Sequence, residues 1–235
     1  MKVRGRRECS QCGTRWSYYE TGEVSCPECG SLRSRGVDGR TRHTDAPVTL
    51  DLTEARARAD DDFDAAVDLA AERCREFTRR SGFINEGELK PLSETYLAAA
   101  ELAAAAREAG RRMRTDEAAE LYLLRLLRGT DLDERPAPDA VPSSLRAARG
   151  LAYANAVLAY RRDAVTVLED DPDPVASRVL GTLRDHAKRI EALDGDVDPA
   201  ESERLARTAQ DVGTYLVEGD EGALAAARNR LDAMA

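Results

Sequence analysis

The sequence predicts a mainly α protein, a small N-terminal β module joined to an all-α helical bundle or short helical array. Three observations predict it. Four cysteines fall in two close pairs within residues 9 to 29. Aromatic residues are only 5%, and alanine and leucine carry the apolar content, which favours helices over strands. From residue 51 onward, apolar residues recur at helical spacing almost to the end of the chain.

The cysteines come first. Cys9, Cys12, Cys26 and Cys29 read C-x2-C, thirteen residues, C-x2-C. Two residues between cysteines let one tight turn aim both thiolates at a single ion, and two such knuckles supply a tetrahedral set. Gly13 and Gly30 follow the second cysteine of each pair, where positive φ lets backbone N–H groups face sulfur. Pro27 pre-sets φ within the second turn. Residues 14 to 19 read as an aromatic-rich strand, "ETGE" as a turn and "EVSC" as a returning strand, together a zinc ribbon over 1–32. One Zn2+ in a structural role is expected; iron fits the same four thiolates. Nothing in the sequence indicates secretion, so disulfides are not expected.

The stretch "YETGEVSCPECG", Tyr19 to Gly30, resembles the ribbon of the archaeal and eukaryotic transcription factor IIB family. The resemblance covers about the first thirty-five residues and implies a metal role for Cys9, Cys12, Cys26 and Cys29. That family follows its ribbon with two similar cyclin-type helical repeats, and no such duplication is found here. By this ribbon the chain is similar to uncharacterised transcription factor IIB-type zinc-ribbon proteins of halophilic archaea, a resemblance limited to the N-terminal ribbon. Its lysine-poor, acidic composition, three lysines against 32 arginines, agrees with that likeness.

Charge is uneven. Residues 1–45 carry 9 Lys+Arg and 6 Asp+Glu, net +3, whereas 46–235 carry 26 and 38, net −12. Residues 33–50 read as a basic linker with Arg33, Arg35, Arg40 and Arg42. Beside Trp16 and Tyr18 these arginines are candidate nucleic-acid contacts, with phosphates on the guanidinium groups and bases on the rings. The opposing expectation is that they stay solvated or pair with the chain's own acidic helices. His43 lies nearby, but the cysteine set is complete without it.

Residues 51–235 read as an acidic all-α domain. Asp51 and Glu54 offer a capping box. Phe63, Val67, Ala70, Cys74 and Phe77 then form one stripe, ended by Gly82 and by Asn85 to Gly87. A second helix runs from about Leu89 to Ala109, with Leu92, Tyr96, Ala99, Leu102 and Ala106 inward. A third spans about Thr115 to Arg128, and residues 129–144 form a proline-rich break. A fourth, about Ser144 to Glu169, places Leu145, Ala148, Ala152, Asn155, Leu158, Val165 and Leu168 inward. Three more start at Asp173, Asp198 and Asp220, the first two with proline in the next position.

No apolar run approaches the roughly 18 residues of a membrane span, and the basic start lacks an apolar core, so a cytoplasmic chain is expected. No catalytic motif is found, only two histidines are present, and no enzyme activity is expected. Asn155 and His186 are read as core or boundary residues. The expected role is binding, as an accessory factor in transcription or RNA metabolism that contacts nucleic acid or polymerase. The alternative is a protein-interaction scaffold with a purely structural ribbon. The partner and the oligomeric state stay open.

Overall fold

The computed structural model describes residues 1–111 and 116–234. The protein is mainly α, as expected. The N-terminal part consists of β1 (Lys2–Val3), β2 (Arg6–Cys9), β3 (Arg15–Ser17), α1 (Tyr18–Thr21), β4 (Ser34–Gly36) and β5 (Thr41–Arg42). The helical part consists of α2 (Thr53–Arg58), α3 (Phe63–Arg80), a hairpin of β6 (Ile84–Asn85) and β7 (Glu88–Leu89), α4 (Glu94–Gly110), α5 (Glu117–Gly129), α6 (Arg146–Leu168), α7 (Pro174–Ala192), α8 (Pro199–Glu218) and α9 (Glu221–Asp232).

Helix starts follow their caps. The side chains of Asp62, Ser93, Asp116, Asp173, Asp198 and Asp220 each accept a hydrogen bond from a first-turn backbone N–H, satisfying donors that the helix cannot. The capping box expected at Asp51 is not formed. Asp51 accepts from Thr53 N–H at 2.8 Å, while Glu54 pairs with Arg58 and Arg73. α2 therefore ends at Arg58, and the Phe63 stripe starts a separate helix under Asp62. Thr115, placed at the start of the third helix, lies outside the described residues.

Two apolar cores share α4. Tyr96 and Leu97 join α6, α7, α8 and α9, whereas Ala99, Leu102 and Ala106 join α2, α3 and α5. α6 is the central helix, and one stripe does not describe it. Tyr153, Ala154, Val157, Tyr160 and Ala164 are buried, because α4, α7 and α8 all pack on it. Asn155, expected inward, is exposed.

The cores are bridged by a buried ionic network. Glu101 accepts from Arg149 at 3.1 Å, from Tyr153 at 2.8 Å and from Tyr122. Glu203 accepts from Arg149 at 3.0 Å and from Arg135 at 2.9 Å, and Arg135 also holds Glu94. Both guanidinium groups lie over the Tyr153 ring, at 4.7 Å for Arg149 and 5.3 Å for Arg135. The network ties α4, α5, α6 and α8 to the proline-rich loop through Arg135 and the Pro136 carbonyl.

Candidate metal centre

The ribbon differs from the expected knuckle–hairpin–knuckle in its strand partners. β2 is central, with β3 on one side and β4 on the other, both antiparallel. β3 thus pairs with the strand before the first knuckle. "EVSC" forms no strand, and Tyr18–Thr21 makes one helical turn closed by Gly22 N–H to Tyr18 O at 2.8 Å. The return strand comes later, from Ser34–Gly36, and β5 pairs with β1. Residues 34–36 and 41–42, expected as unstructured linker, are therefore ladder strands. Their partners are remote in sequence, so a local reading misses them.

The two knuckles repeat one another in detail. Cys9 N–H bonds Thr14 O, and Cys26 N–H bonds Ser31 O, both at 2.9 Å. Gly13 N–H returns to Cys9 O at 3.1 Å, and Gly30 N–H to Cys26 O at 2.9 Å. Each loop closes through its glycine at φ 79° and 69°, a conformation that a Cβ disfavours. The Gln11 N–H points at Cys9 Sγ, 3.4 Å away.

All four sulfurs converge. They lie within 4.8 Å of one another, with Cys9–Cys29 and Cys12–Cys26 each at 3.6 Å. A tetrahedral cation with metal–sulfur bonds of about 2.3 Å needs a sulfur–sulfur edge of about 3.8 Å, so the cage fits one such ion. The cysteines are free, and a disulfide would require a separation of about 2.05 Å. Hydrogen bonds from Thr14 hold the Cys12 thiol down at about 6. At Cys29 the Ser31 N–H pulls the same way, but the sulfur of Cys12, burial and the other sulfurs outweigh it and push that thiol up to about 12. The Cys29 thiol thus resists ionisation beside the other sulfurs until a cation offsets the charge. Cys9 and Cys26 are buried beneath Trp16, while Cys12 and Cys29 face solvent.

The candidate nucleic-acid residues are not assembled into one surface. Trp16 is 9% exposed, packs on Cys9 and Cys26, and donates its indole N–H to Glu23 O at 3.0 Å. Tyr18 is half-buried, and its ring meets His43 edge-on at 5.9 Å. Its neighbour Tyr19 is buried, with its hydroxyl 2.6 Å from Thr41 Oγ1 and accepting from Gly5 N–H at 3.1 Å. Arg35 pairs with Glu8 at 2.6 Å, and Arg15 shares the same carboxylate at 2.7 Å. Arg42 holds Glu169 and Asp170 just beyond the C-terminal end of α6, at 2.7 and 2.9 Å. Arg33 and Arg40 remain exposed without an ion-pair partner among the described residues. His43 is buried beside Tyr18 and Tyr19 and is not part of the sulfur cluster.

The ribbon is fastened to the helices by residues that the sequence did not mark. Asp163 of α6, buried, accepts from Thr44 Oγ1 at 2.7 Å and from Phe83 N–H at 2.8 Å. Thr44 N–H bonds Ile84 O at 2.9 Å, and Gly87 N–H bonds Arg42 O at 2.9 Å. Asp163 reads as a surface residue in a one-stripe helix, so no local signal reveals it. Glu8 is legible only once Arg15 and Arg35 are known to lie opposite it across the sheet.

Residues 1–231 match a family of unknown function, DUF7117. The chain belongs to this family. No curated protein and no solved structure matches it. The DUF7117 match runs from the ribbon through α8 and almost to the end of α9, so ribbon and helices fall within one family unit. Among the described residues, no helix is long and apolar enough to cross a membrane.

Proposed function

We propose that this DUF7117 protein is a non-catalytic binding protein whose helical part carries the interaction surface and whose zinc ribbon is a structural brace. The observation that carries the reading is where the two candidate stacking rings lie: Trp16 is buried over Cys9 and Cys26, and Tyr18 is half-buried with its ring edge-on to His43. Arg42 is likewise engaged by Glu169 and Asp170. Zinc suits the four-thiolate set, and with four protein ligands no coordination position is left for water or substrate. The absence of a catalytic motif and the mutual pairing within the buried ionic network support a binding role. The likeness of Tyr19–Gly30 to the transcription factor IIB ribbon supports the metal role of the cysteines.

Two measurements on the full chain test this reading. Elemental analysis is expected to give one zinc per chain. Titration of labelled single- and double-stranded DNA and RNA at low salt is expected to show no saturable binding. Binding that Arg33→Gln with Arg40→Gln abolishes would favour an accessory factor in transcription or RNA metabolism instead.

A further inference from the structure

Between the start of α3 and the outer side of α5 lies a groove of about 660 Å³. Its apolar side chains are Phe63, Leu121 and Leu124, and its charged ones are Asp61, Asp62, Asp64, Glu117 and Glu120. Every charged residue in the lining is acidic. Asp62 caps α3 through Ala65 N–H at 3.0 Å. The other four carboxylates have no ion-pair partner among the described residues. Several other acidic residues are matched by arginines, as in Glu8 with Arg15 and Arg35, or Glu203 with Arg135 and Arg149.

α5 is apolar on two sides. Ala119, Tyr122, Leu123, Leu126 and Leu127 enter the core. Glu117, Glu120, Leu121 and Leu124 form a second stripe at helical spacing, and Leu121 is 52% exposed. A leucine left open among carboxylates without an ion-pair partner among the described residues presents two needs at once, apolar cover and positive charge.

We infer that this groove docks a basic amphipathic segment of a partner protein, its apolar side chains against Phe63, Leu121 and Leu124 and its Lys or Arg side chains against Asp61, Asp64, Glu117 and Glu120. The inference rests on the proposed binding role of the helical part. Charge complementarity selects the occupant, because an acidic or neutral helix would leave the carboxylates unopposed. The α5 stripe runs over eight residues, from Glu117 to Leu124, a rise of about 10 Å, which matches about two turns of a docked helix.

The probe is a labelled 18-residue helical peptide with leucine on one face and lysine and arginine on the other, titrated into full-length protein and followed by anisotropy. The same peptide with glutamate in place of its basic residues is the control. Saturable binding of the basic peptide alone is expected. Leu121→Gln is expected to weaken it by roughly tenfold, and Glu117→Lys with Glu120→Lys to abolish it. Glu218→Lys with Asp232→Lys, an equal charge change at the exposed last residues of α8 and α9, should leave it near the native value. Equal weakening by both charge-reversed pairs would show attraction to net charge only and overturn the inference, as would an absence of binding at low salt. Circular dichroism on each variant confirms that the helices persist. Nucleic-acid binding through the ribbon sinks the brace reading without touching the peptide result, so the two failures are distinguishable.

Discussion

Arg149 Nη1 donates to Glu101 Oε1 at 3.1 Å, with the two side chains 1% and 0% exposed. They join α6 to α4 at the boundary between the two cores. Removing one member of a buried pair leaves a charge without compensation, at a cost of about 3–5 kcal/mol. Arg149→Met is therefore expected to lower unfolding stability by that order, leaving Glu101 with only the Tyr122 and Tyr153 hydroxyls. Glu101→Leu combined with Arg149→Met should cost less than the sum of the single changes. Chemical denaturation of the three variants measures it, and simple additivity would argue against a coupled pair.

The same network sets an acid limit. Burial pushes the Glu203 carboxyl up, but the hydrogen bond and charge of Arg135 outweigh it and hold it below the usual 4.5. Glu94 is held down in the same way by Arg135. A carboxyl lowered in the folded state contributes stability above its unfolded value and loses it as pH falls through the folded value. Stability should therefore decline below about pH 4.5. Glu203→Gln should be less stable than the native chain at pH 7 and converge towards it as pH falls. Urea unfolding at pH 7, 4 and 3 checks this, and a gap that stays constant with pH would contradict it.

These charged cores also show where the sequence is readable. The starts at Asp173–Pro174, Asp198–Pro199 and Asp220 are legible because a cap acts within one turn. The cysteine spacing is legible for the same reason, since each knuckle closes on itself. Arg149 and Glu101 are not, because a charged residue on a helix reads as solvent-facing until its remote partner is known. β4 is invisible for a related reason. Its pairing with β2 spans the whole ribbon, and no local alternation announces a three-residue strand.

Metal removal has a built-in reporter. Trp16 is the only tryptophan, and it lies on Cys9 and Cys26. A strong chelator with a thiol titrant should open the ribbon, expose the indole and shift its emission to the red. Helical ellipticity should be largely kept, because the two main cores contain no ribbon cysteine. Lower pH should ease metal release, since protons compete for the thiolates. An unchanged emission after complete metal loss would show that the cysteine cage does not depend on the ion.

Tyr160 and Gly213 test how tightly α6 packs on α8. A Cβ built on Gly213 would fall 2.2 Å from the Tyr160 hydroxyl oxygen and 3.1 Å from the ring carbon that bears it. Two effects oppose each other in Gly213→Ala. Helix propensity gains about 1 kcal/mol, whereas overpacking a closed core costs about 1–3 kcal/mol. The clash is with a fully buried ring, so net destabilisation is expected. Tyr160→Phe alone should be near neutral, because its hydroxyl is buried and has no hydrogen-bond partner among the described residues. In the double variant the clashing oxygen is gone, and the propensity gain is offset by the remaining 3.1 Å approach to the ring carbon. It should therefore be more stable than Gly213→Ala by over about 1 kcal/mol and roughly match the native chain. Thermal and urea melts of the three variants decide it, and a double variant no better than Gly213→Ala would place the strain elsewhere.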